Sequence, residues 1–169
     1  LDCRLQQEPE VPDPSVALGR ACRPTRNFND GAYGDRGERG FGRELELAEV
    51  LALLGRDDIR LLTLTGPGGT GKTRLALQTA GALADSYPDG VFWVPLAPLR
   101  DPALVLEEAS RAVGANDGLA EHIADKKLLL LLDNFEHVLD AAAALSGPLA
   151  ACPNLRLIVT SREPLHLSG

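Results

Sequence analysis

The sequence predicts a three-layer α/β fold, in which a parallel sheet lies between layers of helices. Four short apolar segments have the length of buried strands, and segments with helical periodicity separate them. A glycine-rich segment joins the first of these strands to a helix. Parallel strands require crossover connections, and helices usually provide them. The 169 residues are enough for one domain with a substantial core.

The glycine-rich segment Gly66–Thr73 (GPGGTGKT) matches G-x-x-x-x-G-K-[ST] without a mismatch. It follows a predicted strand, Arg60–Thr65, and precedes a predicted helix, Arg74–Ala84. Glycines let the backbone N–H groups turn inward as an anion site, to which the helix adds its positive amino-terminal end. Lys72 would reach the β- and γ-phosphates, and the Thr73 hydroxyl would bind Mg²⁺. The alternative is a glycine-rich turn with an incidental lysine. The candidate nucleotide-binding residues here are Gly66, Pro67, Gly68, Gly69, Thr70, Gly71, Lys72, Thr73 and Arg74.

The other elements follow from apolar spacing and from residues typical of helix ends. Leucines at helical spacing predict a helix over Glu44–Leu54 that ends at Gly55. Asp101 and Pro102 are typical of a helix start, and Gly114 would cap that helix after Val113. Further helices are predicted over residues 116–125, over Glu136–Leu145 and in a short piece leading to Cys152. The remaining strands are predicted over Val91–Pro95, Leu128–Leu132 and Arg156–Thr160.

An acidic residue, Asp133, directly follows the apolar strand Leu128–Leu132. In open α/β sheets, ligands bind at the carboxyl ends of the strands, so Asp133 is expected in the same crevice as the glycine-rich loop. There it would hold Mg²⁺ through the water shell of the ion. The alternative is a strand followed by a turn-forming aspartate.

The residue that would activate water is less well defined. Many P-loop ATPases have a carboxylate directly after the magnesium aspartate, but this chain has Asn134, which cannot accept a proton. Glu136 is the nearest other carboxylate, and it is equally well explained as an acidic residue at a helix start. Slow hydrolysis is therefore expected.

Arg162 follows the last predicted strand after Thr160 and Ser161, at the same edge of the sheet. It could contact the γ-phosphate and so report whether that phosphate is present. The alternative is a surface arginine. The three histidines, His122, His137 and His166, do not have the spacing of metal ligands.

Composition excludes several functional classes. The net charge is −7, so direct nucleic-acid contact by this chain is not expected. The longest apolar run is too short to span a membrane, and three scattered cysteines favour a reduced, cytoplasmic setting.

Residues 1–40 are rich in Pro, Gly and charge, which predicts a linker or disordered tail, with a short helix possible over 14–21. The chain begins with Leu and contains no Met, which suggests a fragment.

Residues 41–168 resemble the nucleotide-binding core of the bacterial NB-ARC/STAND ATPases. The resemblance lies in FGRE at Phe41–Glu44, LLTLTGPGGTGKTRLALQTA, DGVFWVPLAPLRDPALV, LLLLLDNFEHVLDAA and LRLIVTSREPL. More specifically, these residues are similar to the ATPase modules of large transcriptional regulators with LuxR-type or SARP-type DNA-binding domains. The resemblance implies that Gly42, Arg43 and Glu44 lie near the adenine, that Asp133 and Asn134 occupy the Walker B position, and that Arg162 senses the γ-phosphate.

The resemblance also predicts a sheet order of second, third, fourth and first strand along the chain. A fifth strand would flank the first but is missing from this chain. Family members continue into a small helical subdomain, a winged helix, sensor repeats and a DNA-binding domain, which would be the partners of residues 41–169. The implied function is an ATP/ADP-binding regulatory switch with slow Mg²⁺-dependent hydrolysis. The alternatives are an ordinary P-loop ATPase or kinase, and a gene fragment without function.

Overall fold

The structure, a computed structural model, describes residues 4–7 and 43–165. Its strands are β1 (Arg4–Gln7), β2 (Leu61–Thr65), β3 (Val91–Pro95), β4 (Leu129–Asp133) and β5 (Arg156–Ser161). Its α-helices are α1 (Glu44–Leu54), α2 (Lys72–Leu83), α3 (Val105–Val113), α4 (Leu119–Ile123) and α5 (Ser146–Ala151). Short 3-10 helices occupy Ala84–Ser86, Pro102–Leu104, Phe135–His137 and Leu139–Leu145.

The sheet has the strand order β1-β2-β5-β4-β3. Four of its strands, β2, β5, β4 and β3, are parallel to one another. The predicted order of second, third, fourth and first strand is therefore confirmed. Because all four strands run in one direction, their carboxyl ends lie at one edge of the sheet. Thr65 is in register with Ser161, and Pro95 with Asp133, at that edge.

The prediction of a missing fifth strand differs from the structure at the outer edge of β2. There β1 pairs antiparallel with β2, with Arg4 opposite Thr65. The pairing gives backbone partners to an edge that would otherwise be exposed. The sequence RLQQ has no alternating apolar pattern, so nothing in it indicated a strand. The rest of the predicted linker, with its possible short helix over 14–21, lies outside the described residues.

Two apolar cores lie on opposite faces of the sheet and produce the three layers. Helices α1 and α2 cover one face, and Leu129 and Leu131 pack there. Helices α3, α4 and α5 cover the other face, and Leu130 and Leu132 pack there. The leucine run of β4 follows from this arrangement, because a central parallel strand is buried on both sides.

Helix ends were predicted well, but one helix was predicted with the wrong geometry. The Asp101 carboxylate accepts a hydrogen bond from the Ala103 N–H at 2.9 Å, and Gly114 ends α3 at φ 76°.

The predicted helix over Glu136–Leu145 is instead two 3-10 segments, which Val138 separates at φ −141°. Buried side chains recur there every three or four residues, and a spacing of three fits the tighter 3-10 turn. These buried residues are Phe135, Val138, Ala141, Ala142 and Leu145.

Within residues 4–7 and 43–165, no helix combines the length and the apolar character that crossing a membrane would require.

Candidate functional site

The glycine-rich loop lies between the carboxyl end of β2 and the first turn of α2, as predicted. Gly69 and Gly71 have φ values of 81° and 79°, in the left-handed region that glycine adopts without a steric penalty. Gly71 is the residue that precedes α2. The Thr70 hydroxyl donates a hydrogen bond to the Pro67 carbonyl at 2.9 Å, which closes the turn internally. The loop therefore wraps around the positive end of a helix of three turns.

Lys72, in the first turn of α2, lies inside the curve of this loop. Its side chain is buried, and Nζ donates to the carbonyl oxygens of Gly66 at 2.7 Å and of Pro67 at 3.0 Å. An ammonium group has three N–H donors, so these two bonds do not use them all. Two backbone carbonyls therefore hold the positive charge of Lys72 at the loop, where a remaining N–H could donate to an anionic oxygen of a phosphate.

Asp133 is the centre of a buried polar cluster at the carboxyl edge of the sheet. Its Oδ1 accepts hydrogen bonds from the Thr73 hydroxyl at 2.8 Å and from the Thr160 hydroxyl at 2.6 Å. The Thr160 oxygen also accepts a hydrogen bond from the Asn134 N–H at 3.0 Å. Asp133 and Thr160 are 4% and 1% exposed. Three segments far apart in the chain, the loop helix α2, β4 and β5, therefore meet at one carboxylate.

The oxygen atoms in this cluster suit Mg²⁺. A hydroxyl and a carboxylate are hard oxygen ligands, and Mg²⁺ usually takes only one or two protein ligands besides water and phosphate oxygens. Among the described residues, no group of three or more His, Cys, Asp or Glu side chains could hold a metal ion by itself. Thr73 and Asp133 together would supply the one or two protein ligands that Mg²⁺ usually takes.

Glu136 and Arg162, which were predicted separately, form an ion pair. Arg162 Nε lies 3.0 Å from Glu136 Oε1, and the two side chains are 61% and 10% exposed. A Cβ added to Gly68 would lie 3.6 Å from the Cζ and Nη2 atoms of Arg162. Arg162 is thus beside the glycine-rich loop, as a γ-phosphate contact requires, but its Nε faces a carboxylate.

Arg43 lies directly before α1 and contacts the loop at Thr70 and Gly71. Its Nη2 donates a hydrogen bond to the Thr70 carbonyl, and its guanidinium is within van der Waals distance of the Cβ position of Gly71. Its Nη1 is buried and has no hydrogen-bond partner among the described residues. A cavity of about 400 Å³ opens here between α1 and α2, and its lining includes Glu44 and Arg74. Gly42, predicted to lie near the adenine, is outside the described residues.

Asn134 has φ 63° and ψ 46°, a left-handed conformation that asparagine adopts more readily than most residues. This turn directs the chain from β4 into the 3-10 segment Phe135–His137, where Phe135 is fully buried. Because Asn134 supplies an amide and not a carboxylate, Glu136 is the first carboxylate after Asp133.

Thr160 and the loop contact of Arg43 are the parts of the site that sequence reasoning did not identify. Thr160 was recognised only as a hydroxyl residue before Arg162. Its position beside Asp133 follows from the pairing of β4 with β5, in which Leu132 is opposite Val159. The predicted strand order was the signal that could have indicated it, since polar residues at adjacent strand ends meet at one edge.

Other titratable groups lie outside this cluster. His122 lies in α4, and burial lowers its pKa. Burial also raises the pKa of the Cys152 thiol, which is fully buried in the core beneath α5. Cys152 is therefore a neutral core residue.

The chain has similarity to bacterial regulators over part of their length. It is 45% identical over 119 residues to a protein of Mycobacterium tuberculosis named as an HTH-type transcriptional regulator, in a match that covers 65% of this chain and 13% of that protein. It is 30% identical over 133 residues to regulatory protein AfsR of Streptomyces griseus, in a match that covers 69% of this chain and 13% of AfsR. The chain thus spans about 13% of the length of these relatives. No model of a known protein family matches it.

A solved structure shares the fold. The crystal structure of Cdc6p from Pyrobaculum aerophilum aligns with a TM-score of 0.56 and 20% sequence identity, over 75% of this chain and 40% of that chain. Together with the strand order and the loop between β2 and α2, this likeness confirms the predicted three-layer α/β P-loop fold.

Proposed function

We propose that residues 41–169 bind ATP and ADP with Mg²⁺ and act as a regulatory nucleotide switch of the NB-ARC/STAND type. The loop Gly66–Thr73, which includes Lys72, binds the phosphates. Thr73 and Asp133 hold Mg²⁺, which shields the phosphate charge when it is bound. Arg43 and Arg74, beside the cavity at α1, bind the nucleoside side of the ligand.

The contact between Thr73 and Asp133 is the observation that carries this proposal. These residues are 60 positions apart, yet the hydroxyl and the carboxylate are 2.8 Å from each other. This contact is expected for a nucleotide site, in which both groups bind one metal ion, but not for an incidental glycine-rich turn. Burial of a carboxylate is costly, so a fold that retains one needs a partner for it.

The proposed hydrolysis is slow, because the geometry beside the metal residues is poor for activating water. Asn134 cannot accept a proton, and one oxygen of Glu136 is paired with Arg162. This supports a switch over an ordinary P-loop ATPase or kinase. Glu136, the first carboxylate after Asp133, is the proposed catalytic residue for this slow hydrolysis.

The partners of the switch are proposed to be further domains of a longer regulator. The similarity to regulators that are much longer than this chain supports that proposal. A small helical subdomain, a winged helix, sensor repeats and a DNA-binding domain would couple nucleotide state to transcription in the cytoplasm. A nucleotide can shift only an equilibrium between states that it binds with different affinity.

The nucleotide site is tested with the Lys72→Ala variant. Removing the buried ammonium should weaken binding of a fluorescent ADP analogue about a hundredfold, because charge-assisted contacts to phosphate are lost. Binding is measured by titration in the presence of Mg²⁺. Lys126→Ala is the matched control, since Lys126 precedes β4 at the opposite edge of the sheet.

Equal affinity of wild type and Lys72→Ala would contradict the phosphate-binding role of the loop. A turnover number above about 1 s⁻¹ would contradict the slow switch and favour an ordinary enzyme.

A further inference from the structure

The ion pair between Glu136 and Arg162 is unequal in exposure. The Glu136 side chain is 10% exposed and the Arg162 side chain is 61% exposed. The second carboxylate oxygen of Glu136, Oε2, is buried and has no hydrogen-bond partner among residues 4–7 and 43–165. Glu136 therefore depends on Arg162 for the compensation of its charge, whereas Arg162 can exchange partners at the surface.

The pair lies where a terminal phosphate would compete for the arginine. The Arg162 guanidinium is next to Gly68 of the phosphate loop, while its Nε is 3.0 Å from Glu136 Oε1. A guanidinium has five N–H donors in a rigid fork, and carboxylates and phosphates both match that fork. A γ-phosphate that draws Arg162 toward the loop must share it with Glu136 or leave a buried carboxylate uncompensated, and the latter is strongly unfavourable.

We propose that Glu136 is a specificity-determining residue that limits the preference of this site for ATP over ADP. It does so by neutralising and restraining Arg162. This inference rests on the proposed nucleotide function. ADP lacks the terminal phosphate that contacts Arg162, so the ion pair persists when ADP is bound. When ATP binds, its terminal phosphate must compete with Glu136 for Arg162. The free energy lost from the Glu136–Arg162 interaction therefore reduces the difference in affinity between ATP and ADP.

The test compares dissociation constants for ATP and ADP, with Mg²⁺, in the full chain. Glu136→Gln removes the competing charge and leaves Arg162 available. We expect the ratio of the ADP constant to the ATP constant to rise about three- to tenfold, mainly through tighter ATP binding. Arg162→Ala should lower the same ratio below that of wild type, because the contact to the terminal phosphate is lost.

Glu136→Asp separates restraint from charge. It keeps the carboxylate but shortens the side chain by one methylene, which breaks the 3.0 Å contact. We expect a smaller rise in the ratio than with Glu136→Gln. Glu163→Gln is the matched control, because it removes the same charge from an exposed residue adjacent to Arg162, and it should leave the ratio unchanged. Thermal unfolding, followed by Trp93 fluorescence, shows whether each variant is folded at the temperature of the titration.

Specific results would overturn the inference. An unchanged or lowered ratio in Glu136→Gln, with nucleotide binding intact, removes the role of Glu136 and leaves the proposed function standing. A rise in Glu136→Gln with no change in Glu136→Asp shows an effect of charge at a distance and removes the restraint. Failure of the wild-type chain to bind either nucleotide overturns the proposed function and this inference together.

Discussion

Single hydroxyl groups connect the strands at the candidate site, and Thr160 is the best example. Its oxygen donates to Asp133 Oδ1 and accepts from the Asn134 N–H, so it uses both of its hydrogen-bonding functions in a buried position. Thr63, on the neighbouring strand β2, is also buried, but its hydroxyl has no partner among the described residues. The two threonines are equally buried, but only the Thr160 hydroxyl has hydrogen-bond partners among the described residues.

This contrast predicts different effects of replacing the two threonines by valine. Thr160→Val should lower the free energy of unfolding by about 1–3 kcal/mol, because it removes the acceptor of the half-buried Asn134 N–H and a donor to the buried Asp133 carboxylate. Thr63→Val should be neutral or stabilising, since it replaces an unpaired buried hydroxyl by a methyl group in a strand. Urea unfolding followed by Trp93 fluorescence measures both. Equal destabilisation in the two variants would show that the hydrogen bonds of Thr160 contribute nothing specific.

Two glycines, one at the end of a helix and one within a helix, differ in backbone conformation. Helix α3 ends at Gly114, which has φ 76°. Helix α2 contains Gly81 within its last turn, in a helical conformation and with open space around it. Apart from the adjoining backbone, a Cβ added to either glycine would have no atom within 4 Å, so backbone conformation alone separates the two positions.

The two glycines should therefore respond in opposite directions to replacement by alanine. Gly81→Ala should raise the free energy of unfolding by about 0.5–1 kcal/mol, because alanine loses less backbone entropy in a helix. Gly114→Ala should lower it by about 1–2 kcal/mol, because a left-handed conformation is strained for a residue with a Cβ. Thermal or urea unfolding by circular dichroism gives both values. A stabilising Gly114→Ala would contradict the capping role of this residue.

The whole domain consists of two cores that share one sheet. Trp93, the single tryptophan, packs on the face covered by α1 and α2, whereas Cys152 is buried on the opposite face. Strand β4 contributes alternate leucines to both cores. Loss of that strand would expose both faces together.

One cooperative transition is therefore expected. In a Cys3→Ser, Cys22→Ser background, labelling of the Cys152 thiol and the Trp93 fluorescence change should have the same urea midpoint. The thiol should be unreactive before that midpoint, because it is buried and burial raises its pKa. Labelling of Cys152 well below the Trp93 transition would show that the layer of α3, α4 and α5 opens independently.

Much of this architecture could be predicted from local patterns. The strand, loop and helix around Gly66–Thr73 have spacings that allow few other structures, and β3 was predicted with its observed ends, Val91–Pro95. The edge strand Arg4–Gln7 could not be predicted, because backbone pairing at an open edge needs no particular side chains. The 3-10 geometry of Leu139–Leu145 was also missed, because 3-10 and α-helices have similar apolar spacing over a few residues.

By itself, the sequence determined the fold class, the phosphate loop and the presence of an acidic residue at the end of a leucine strand. These depend on spacing along the chain, which is visible without a structure. The tertiary structure decided which side chains meet: Asp133 with Thr73 and Thr160, and Glu136 with Arg162. Such pairs join residues from 26 to 60 positions apart, and only the register and order of parallel strands bring them within hydrogen-bonding distance.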